Sequence, residues 1–153
     1  MKKHFVFLLM LLLLFTAGCS QTVSTSGSGE EADEWGITLS AENVTATGMT
    51  LVCTQSGGHY TGDLNTGSYY AIEQLIDGEW LPVPTTLGIH DFAWTMEAWM
   101  IQPDNAMKWD VNWEFLYGSL EPGVYRIQKE ISDFRGPGDY TDKPYYAEFA
   151  IVD

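Results

Sequence analysis

The sequence predicts an all-β domain, an antiparallel sandwich of about seven strands. From residue 35 onward, short segments with strand-like patterns are separated by turn residues, and no stretch keeps a helical apolar period over three turns. A second observation is a tyrosine, Tyr125, that directly follows a Pro-Gly turn at the start of a late strand. Such a tyrosine can bury its ring and bond back to the preceding corner, as in Greek-key sandwiches.

The clearest strand is predicted over residues 107–115. Every second residue there is apolar, which places one face in the core and leaves the other face in water. The apolar positions are Met107, Trp109, Val111, Trp113 and Phe115. Similar patterns predict further strands over residues 37–41, 49–55, 68–76, 79–83, 94–101, 124–131 and 145–152. The Asp77-Gly78 dipeptide predicts a tight hairpin, and two prolines place its second arm at a sheet edge.

The N-terminal segment has the features of an export signal. Two lysines precede an apolar run that is too short for a stable membrane-spanning helix, and small residues then lead to Cys19. This arrangement resembles the lipobox of bacterial lipoproteins, although Thr16 stands where those proteins usually have an aliphatic residue. The resemblance implies a signal peptide over residues 1–18 and a lipid on Cys19 that anchors the protein in a bilayer, outside the cytoplasm.

The rest of the chain divides into a tether and one domain. Residues 19–34 are polar and rich in Ser, Thr and Gly, with almost nothing to bury, so we expect a lipidated N-terminus and a flexible linker. The folded domain is expected over residues 35–153, a length that can bury a core without disulfides. We expect it to be monomeric.

Composition excludes one class of partner. The chain has 7 Lys and Arg against 21 Asp and Glu, so it lacks the clustered cations that nucleic-acid binding needs. The chain has two cysteines, and since Cys19 is assigned to the lipid, no intrachain disulfide is expected. Cys53 alternates with Met49 and Leu51 on an apolar face, which favours a buried, unreactive thiol over a reactive one.

Four stretches of the domain carry a resemblance to known proteins. They are MTLVCTQSGG at residues 49–58, GSYY at 67–70, the segment 109–126, and DFRG at 133–136. Together they resemble a family of bacterial immunoglobulin-like domains found in exported proteins and lipoproteins. The resemblance covers nearly all of residues 35–153; it implies an immunoglobulin-like sandwich and attaches no catalytic residues. Cys53 and Ile127 occupy the places of the bridging cysteines of such domains, so an apolar pair is expected to replace the bridge.

The aromatic residues are candidates for ligand contact. Trp109 and Trp113 lie on the apolar face of the clearest strand, which favours the core. Trp99 and Tyr146 share their predicted faces with polar or charged residues, so we expect them to be exposed and able to grip a sugar or a peptide.

Residues 133–144 are predicted to form the longest loop between two strands, and loops at the end of a sandwich often carry binding residues. The candidate contact residues there are Phe134, Arg135, Tyr140 and Asp142. The weaker candidates for a calcium site are Asp133, Asp139 and Asp142. Ion pairs from Arg135 or Lys143 to these carboxylates, closing the loop for stability alone, are the alternative.

The function predicted from the sequence is a non-catalytic surface module that binds a protein or a glycan, or serves as an accessory surface protein. A small glycan-acting or cell-wall-acting hydrolase and a structural spacer are the alternatives. Glycosidases need two carboxyl groups at a set separation. Asp110 and Glu114, on one face of the predicted strand, would be roughly 13 Å apart, which is too far. No resident cofactor is expected.

Lys129 is anomalous, because it falls on the predicted inward face of its strand together with Ile127 and Ile131. An unpaired ammonium in a core is costly. The sequence therefore predicts either a bulge that turns Lys129 outward or a carboxylate partner near the sheet end.

Overall fold

The computed structural model describes residues 32–87 and 92–152, which form two antiparallel sheets. The smaller sheet consists of β1 (Ile37–Thr45), β2 (Gly48–Gln55) and β7 (Asn105–Asn112), with β2 in the middle. The larger sheet consists of β3 (Asp63–Thr66), β4 (Ala71–Ile76), β5 (Glu79–Pro82), β6 (Trp99–Met100), β8 (Gly123–Gly136) and β9 (Asp139–Ile151). A short helix, α1 (Glu114–Tyr117), follows β7. The predicted antiparallel sandwich is confirmed. The signal peptide, Cys19 and most of the predicted linker lie outside the described residues.

The core lies between the two sheets and is built from alternate residues of their strands. On β2 the buried residues include Met49, Leu51 and Cys53, as the alternation predicted. On β8 and β9 the inward positions are buried in the same way. The buried apolar residues of these two strands are Tyr125, Ile127, Ile131, Tyr145, Ala147, Phe149 and Ile151.

The long strand β8 organises the larger sheet. One edge of β8 pairs with β9 along its whole length. The opposite edge is shared by two shorter strands, because β4 pairs with β8 up to Gln128 and β3 pairs with it from Ile131 onward. Between them the chain leaves the edge over residues 67–70. Lys129 and Glu130 therefore face a gap in the ladder.

Two local predictions are confirmed in detail. Asp77 and Gly78 have φ angles of 52° and 86°, the positive values that a tight hairpin turn requires, and β5 lies at the edge of the larger sheet. The hydroxyl of Tyr125 donates a hydrogen bond of 2.8 Å to the carbonyl of Glu121, so the tyrosine corner is present.

The strand predicted over residues 107–115 ends early, at Asn112, and this part of the prediction is wrong. The side chain of Asn112 accepts a hydrogen bond from the Glu114 amide at 3.0 Å, and the chain continues from there into α1. Trp113 is fully buried, and its amide and indole N–H groups both donate to the turn between β1 and β2. Phe115, predicted to share its face, is 69% exposed on α1.

The predictions for residues 94–101 and 133–144 are also wrong. The first segment contains strand only at Trp99 and Met100, while β3 was not predicted at all. The second is a continuation of two strands, because β8 runs to Gly136 and β9 begins at Asp139. The strands were hidden in the sequence because the buried position there is the carboxylate of Asp133, where an apolar residue would have marked a strand.

Candidate functional site

The gap between β3 and β4 opens into a pocket of about 360 Å³ between the sheets, beside β7. We call it the aromatic pocket, because six ring side chains line it. Its lining includes Tyr70, Phe92, Trp94, Trp99, Trp109, Phe115 and Lys129, with polar groups from Ser68, Thr95, Asp110 and Asn112. The volume lies within the usual range of small-ligand pockets.

The aromatic rings that line the pocket pack against one another. The ring centroids of Trp99 and Trp109 are 6.2 Å apart, and those of Tyr70 and Trp94 are 5.0 Å apart in an edge-to-face arrangement. The Tyr70 hydroxyl donates to the carbonyl of Asn112 at 3.1 Å, which ties the connection after β3 to the end of β7. Trp94, Trp99 and Trp109 are each half-buried. They therefore offer ring surface that is already ordered and still open to a ligand.

Lys129 lines the aromatic pocket and is 4% exposed. Its ammonium donates to the carbonyl oxygens of Gly67 and Tyr69, the latter at 2.9 Å, in the connection that leaves the sheet edge. The same nitrogen lies 5.2 Å from the ring centroid of Trp99 and 6.0 Å from that of Trp109. Burial lowers the pKa of Lys129 to about 8.

The predicted arrangement of Lys129 is therefore wrong, although the predicted face is right. The pairing of β8 with β9 is regular at Lys129, and no carboxylate among the described residues contacts the ammonium. Backbone carbonyls take the place of a carboxylate, because the gap between β3 and β4 leaves Gly67 and Tyr69 without a neighbouring strand on that side.

A second buried charge, Asp133, lies four residues further along the same face of β8. Its carboxylate accepts hydrogen bonds from the amide and hydroxyl of Thr61 at 3.1 and 2.9 Å and from the amide of Gly62 at 2.5 Å. Arg135 donates to it at 3.0 Å. Gly62 can approach because it lacks a side chain: a Cβ atom there would lie 2.2 Å from the carbonyl oxygen of Phe134. We call these groups the Asp133 cluster.

Hydrogen bonding holds the carboxylate of Asp133 in its charged form. Burial by itself would raise the pKa of Asp133, but the bonds from Thr61 and Gly62 and the charge of Arg135 outweigh it and lower the pKa. Arg135 also donates to Asp139 at 2.8 Å and to Thr141 at 3.0 Å. The predicted contact residue Arg135 thus bonds to three side chains of its own sheet, which is the alternative arrangement that the sequence left open.

The three carboxylates proposed for calcium do not converge. Asp133 pairs with Thr141 across the sheet while Asp142 pairs with Ser132, so Asp133 and Asp142 point to opposite faces. In residues 32–87 and 92–152, no group of three or more His, Cys, Asp or Glu side chains is placed to hold a metal ion. Lys143 pairs with Asp33 at 3.3 Å and with Glu34 at the start of the domain, and not with these carboxylates.

The other predicted contact residues lie on the outer face of the larger sheet, away from the aromatic pocket. Phe134 and Tyr140 are cross-strand partners, 39% and 54% exposed. Tyr146 stacks under Arg126, whose guanidinium carbon is 4.1 Å from the ring centroid and which pairs with Glu73 at 2.5 Å. Trp99 is the one predicted contact residue that reaches the aromatic pocket.

Cys53 is fully buried and free, as the alternation predicted. Burial raises the pKa of its thiol to about 12, which keeps it protonated at neutral pH.

Sequence reasoning missed most of the pocket. Tyr70, Phe92 and Trp94 come from irregular segments that carry no periodic signal. Lys129 carried a signal, since a charged residue on an apolar strand face requires an explanation, but its neighbours could not be derived from spacing along the chain.

Comparison with protein families places the chain in a known class. The model of the bacterial Ig-like domain matches residues 31–150, so the chain belongs to this family. No match was found among curated proteins or among solved structures. Bacterial Ig-like domains occur in exported or surface proteins, which supports an extracytoplasmic, non-catalytic surface or accessory module. Within the part of the chain that the structure describes, no helix has the length and the apolar character that crossing a membrane requires.

Proposed function

We propose that the protein is a lipid-anchored, non-enzymatic module that binds an exposed group of a protein or a glycan in the aromatic pocket. The observation that carries this proposal is the pocket itself, walled by three half-buried tryptophans. Tryptophans that contribute only to the stability of the core are expected to be fully buried, as Trp113 is. Open rings held by neighbouring rings present a large contact area at a low entropy cost.

The arrangement of carboxylates supports binding over catalysis. Asp110 is the one carboxylate among the described lining residues, and its side chain accepts a hydrogen bond from Thr50 at 3.1 Å. Glu114, the second candidate for a glycosidase, is exposed at the start of α1. A single carboxylate in the pocket cannot supply the pair that retaining or inverting hydrolysis uses.

The pocket can be tested by screening the purified protein against glycan and envelope-protein arrays and repeating each positive result with variants. Trp99→Leu removes ring surface from the pocket and should weaken capture about tenfold, as expected for a central aromatic contact. Trp80→Leu is the matched control, because Trp80 is also half-buried but stacks on Arg126 on the outer face of the larger sheet.

Equal capture by wild type and Trp99→Leu would contradict binding in the pocket. Absence of any captured molecule, with the domain folded, would favour the structural spacer instead.

The anchor is a separate part of the proposal and is supported by the sequence around Cys19. Metabolic labelling with a fatty-acid probe should mark the wild type and should be lost in Cys19→Ala, because the variant lacks the cysteine that would carry the acyl chains. Several acyl chains on that cysteine would provide stable membrane attachment. Cys53→Ala is the control, since its thiol is buried and should not affect labelling. Equal labelling of wild type and Cys19→Ala would refute the anchor.

A further inference from the structure

We propose that the group bound in the aromatic pocket carries a carboxylate beside an aromatic or branched apolar body, and that Lys129 binds the carboxylate. This inference rests on the proposed binding function, which it narrows to one ligand chemistry.

Lys129 differs from the other described cations in how its charge is paired. The described residues contain five Lys and Arg side chains, and four of them form ion pairs with carboxylates. These four are Lys108, Arg126, Arg135 and Lys143. Lys129 is the most buried of the five, yet its hydrogen-bond acceptors are two carbonyl oxygens. Among the described residues no carboxylate pairs with the Lys129 ammonium. Burying an ammonium without a counter-charge is costly, so a carboxylate entering the pocket would relieve that cost.

The ammonium of Lys129 has more N–H donors than the described residues accept. An ammonium has three N–H groups, and the carbonyls of Gly67 and Tyr69 accept two of them. No described residue offers an acceptor oxygen to the third. Lys129 lines the pocket, and its nitrogen lies 5.2 Å and 6.0 Å from the ring centroids of Trp99 and Trp109, so we infer that a ligand between these rings can reach it. A charge-assisted hydrogen bond formed there would be protected from water by those rings.

The walls define the rest of the ligand. Most of the lining consists of aromatic rings and aliphatic side chains, and the polar side chains are few. A sugar acid carries hydroxyl groups around its whole ring, so those that do not reach the few polar side chains would be buried against aromatic rings, which are poor hydrogen-bond acceptors. A cationic ligand would be repelled by Lys129. An aromatic or branched apolar acid, free or at the C-terminus of a peptide, satisfies both the rings and the ammonium.

The test compares N-acetylphenylalanine with N-acetylphenylalaninamide, which have the same body and differ in charge. Binding to the purified protein is followed at pH 7 by the indole N–H resonances of its tryptophans. Trp94, Trp99 and Trp109 line the pocket and should shift, whereas Trp35, Trp80 and Trp113 lie outside it and serve as an internal control. We expect the acid to bind about tenfold more tightly than the amide, or better.

In Lys129→Met, whose side chain is similar in length but uncharged, the acid should lose this advantage while the amide still binds. The wild-type comparison needs no variant, so the inference stays testable if Lys129→Met folds poorly. Equal binding of acid and amide to wild-type protein would overturn the role of Lys129 but leave the pocket as a binding site. Shifts of the pocket indoles by glucuronate that exceed those by N-acetylphenylalanine would overturn the apolar body. Failure of all three probes to shift the pocket indoles would count against the inference and the proposed pocket together.

Discussion

Lys129 and Asp133 are two buried charges on one face of one strand, and they are satisfied very differently. Asp133 has four donated hydrogen bonds, from Thr61, Gly62 and Arg135, and a counter-charge. Lys129 has two carbonyl oxygens and borders a cavity. Lys129 is 4% exposed and Asp133 is 3% exposed, so the degree of burial does not distinguish the two residues.

The difference indicates which charge is structural. A buried charge whose hydrogen-bonding capacity is filled by its own chain stabilises the fold. A ligand could bind such a charge only by displacing those hydrogen bonds. A buried charge with spare capacity beside an open pocket is available to a ligand. In the Asp133 cluster, which the sequence suggested as a binding or calcium region, the carboxylate is bonded by its own chain, whereas Lys129 is the charge that we propose binds the ligand.

The largest effect is expected from breaking the satisfied charge. Asp133→Ala removes the buried carboxylate and the four hydrogen bonds that it accepts from Thr61, Gly62 and Arg135, so we expect a loss of about 3 kcal/mol in the free energy of unfolding. Urea denaturation at pH 7 measures it. Ligand binding per folded molecule in the aromatic pocket should not change.

Asp139→Ala is the matched control for this prediction. Asp139 also pairs with Arg135, but its side chain is 68% exposed, so the loss should be below about 1 kcal/mol. If both variants lost the same small amount, the Asp133 cluster would not be the scaffold that its hydrogen bonds indicate.

A smaller effect is expected from the pH dependence of the unsatisfied charge. The folded-state pKa of Lys129, about 8, lies below its ordinary value of 10.5, so between these values the unfolded chain binds more protons than the folded chain. The free energy of unfolding should therefore rise with pH in wild type relative to Lys129→Met, by less than about 1 kcal/mol per pH unit between pH 8 and 10. Denaturant titrations at several pH values measure the difference.

The comparison with Lys129→Met also separates this effect from the tyrosines. Burial raises the pKa of Tyr70 to about 12 and also raises that of Tyr145, which lowers stability as pH rises above 10 in both proteins. A difference between the two proteins that stays flat from pH 7 to 10 would mean that the ammonium is better solvated than its burial indicates.

Local patterns predicted those parts of the fold in which a strand alternates between core and water. The strands β1 and β2, the Asp77-Gly78 turn and the tyrosine corner at Tyr125 all follow from short-range rules and are present. The prediction was wrong where a buried residue is polar, as at Asp133, or where a tryptophan is held by a turn distant in sequence, as Trp113 is by the carbonyls of Ala46 and Thr47.

By itself the sequence determined the class of the fold, the family resemblance and the burial of Cys53, because each depends on residues a few positions apart. It also marked Lys129 as anomalous. The tertiary structure decided which groups surround the ammonium of Lys129. The gap between β3 and β4 exists because both strands share one edge of β8, and it brings carbonyls from residues 67 and 69 and rings from β6 and β7 around one ammonium. These groups are up to about sixty residues apart along the chain, so no local pattern could assemble them.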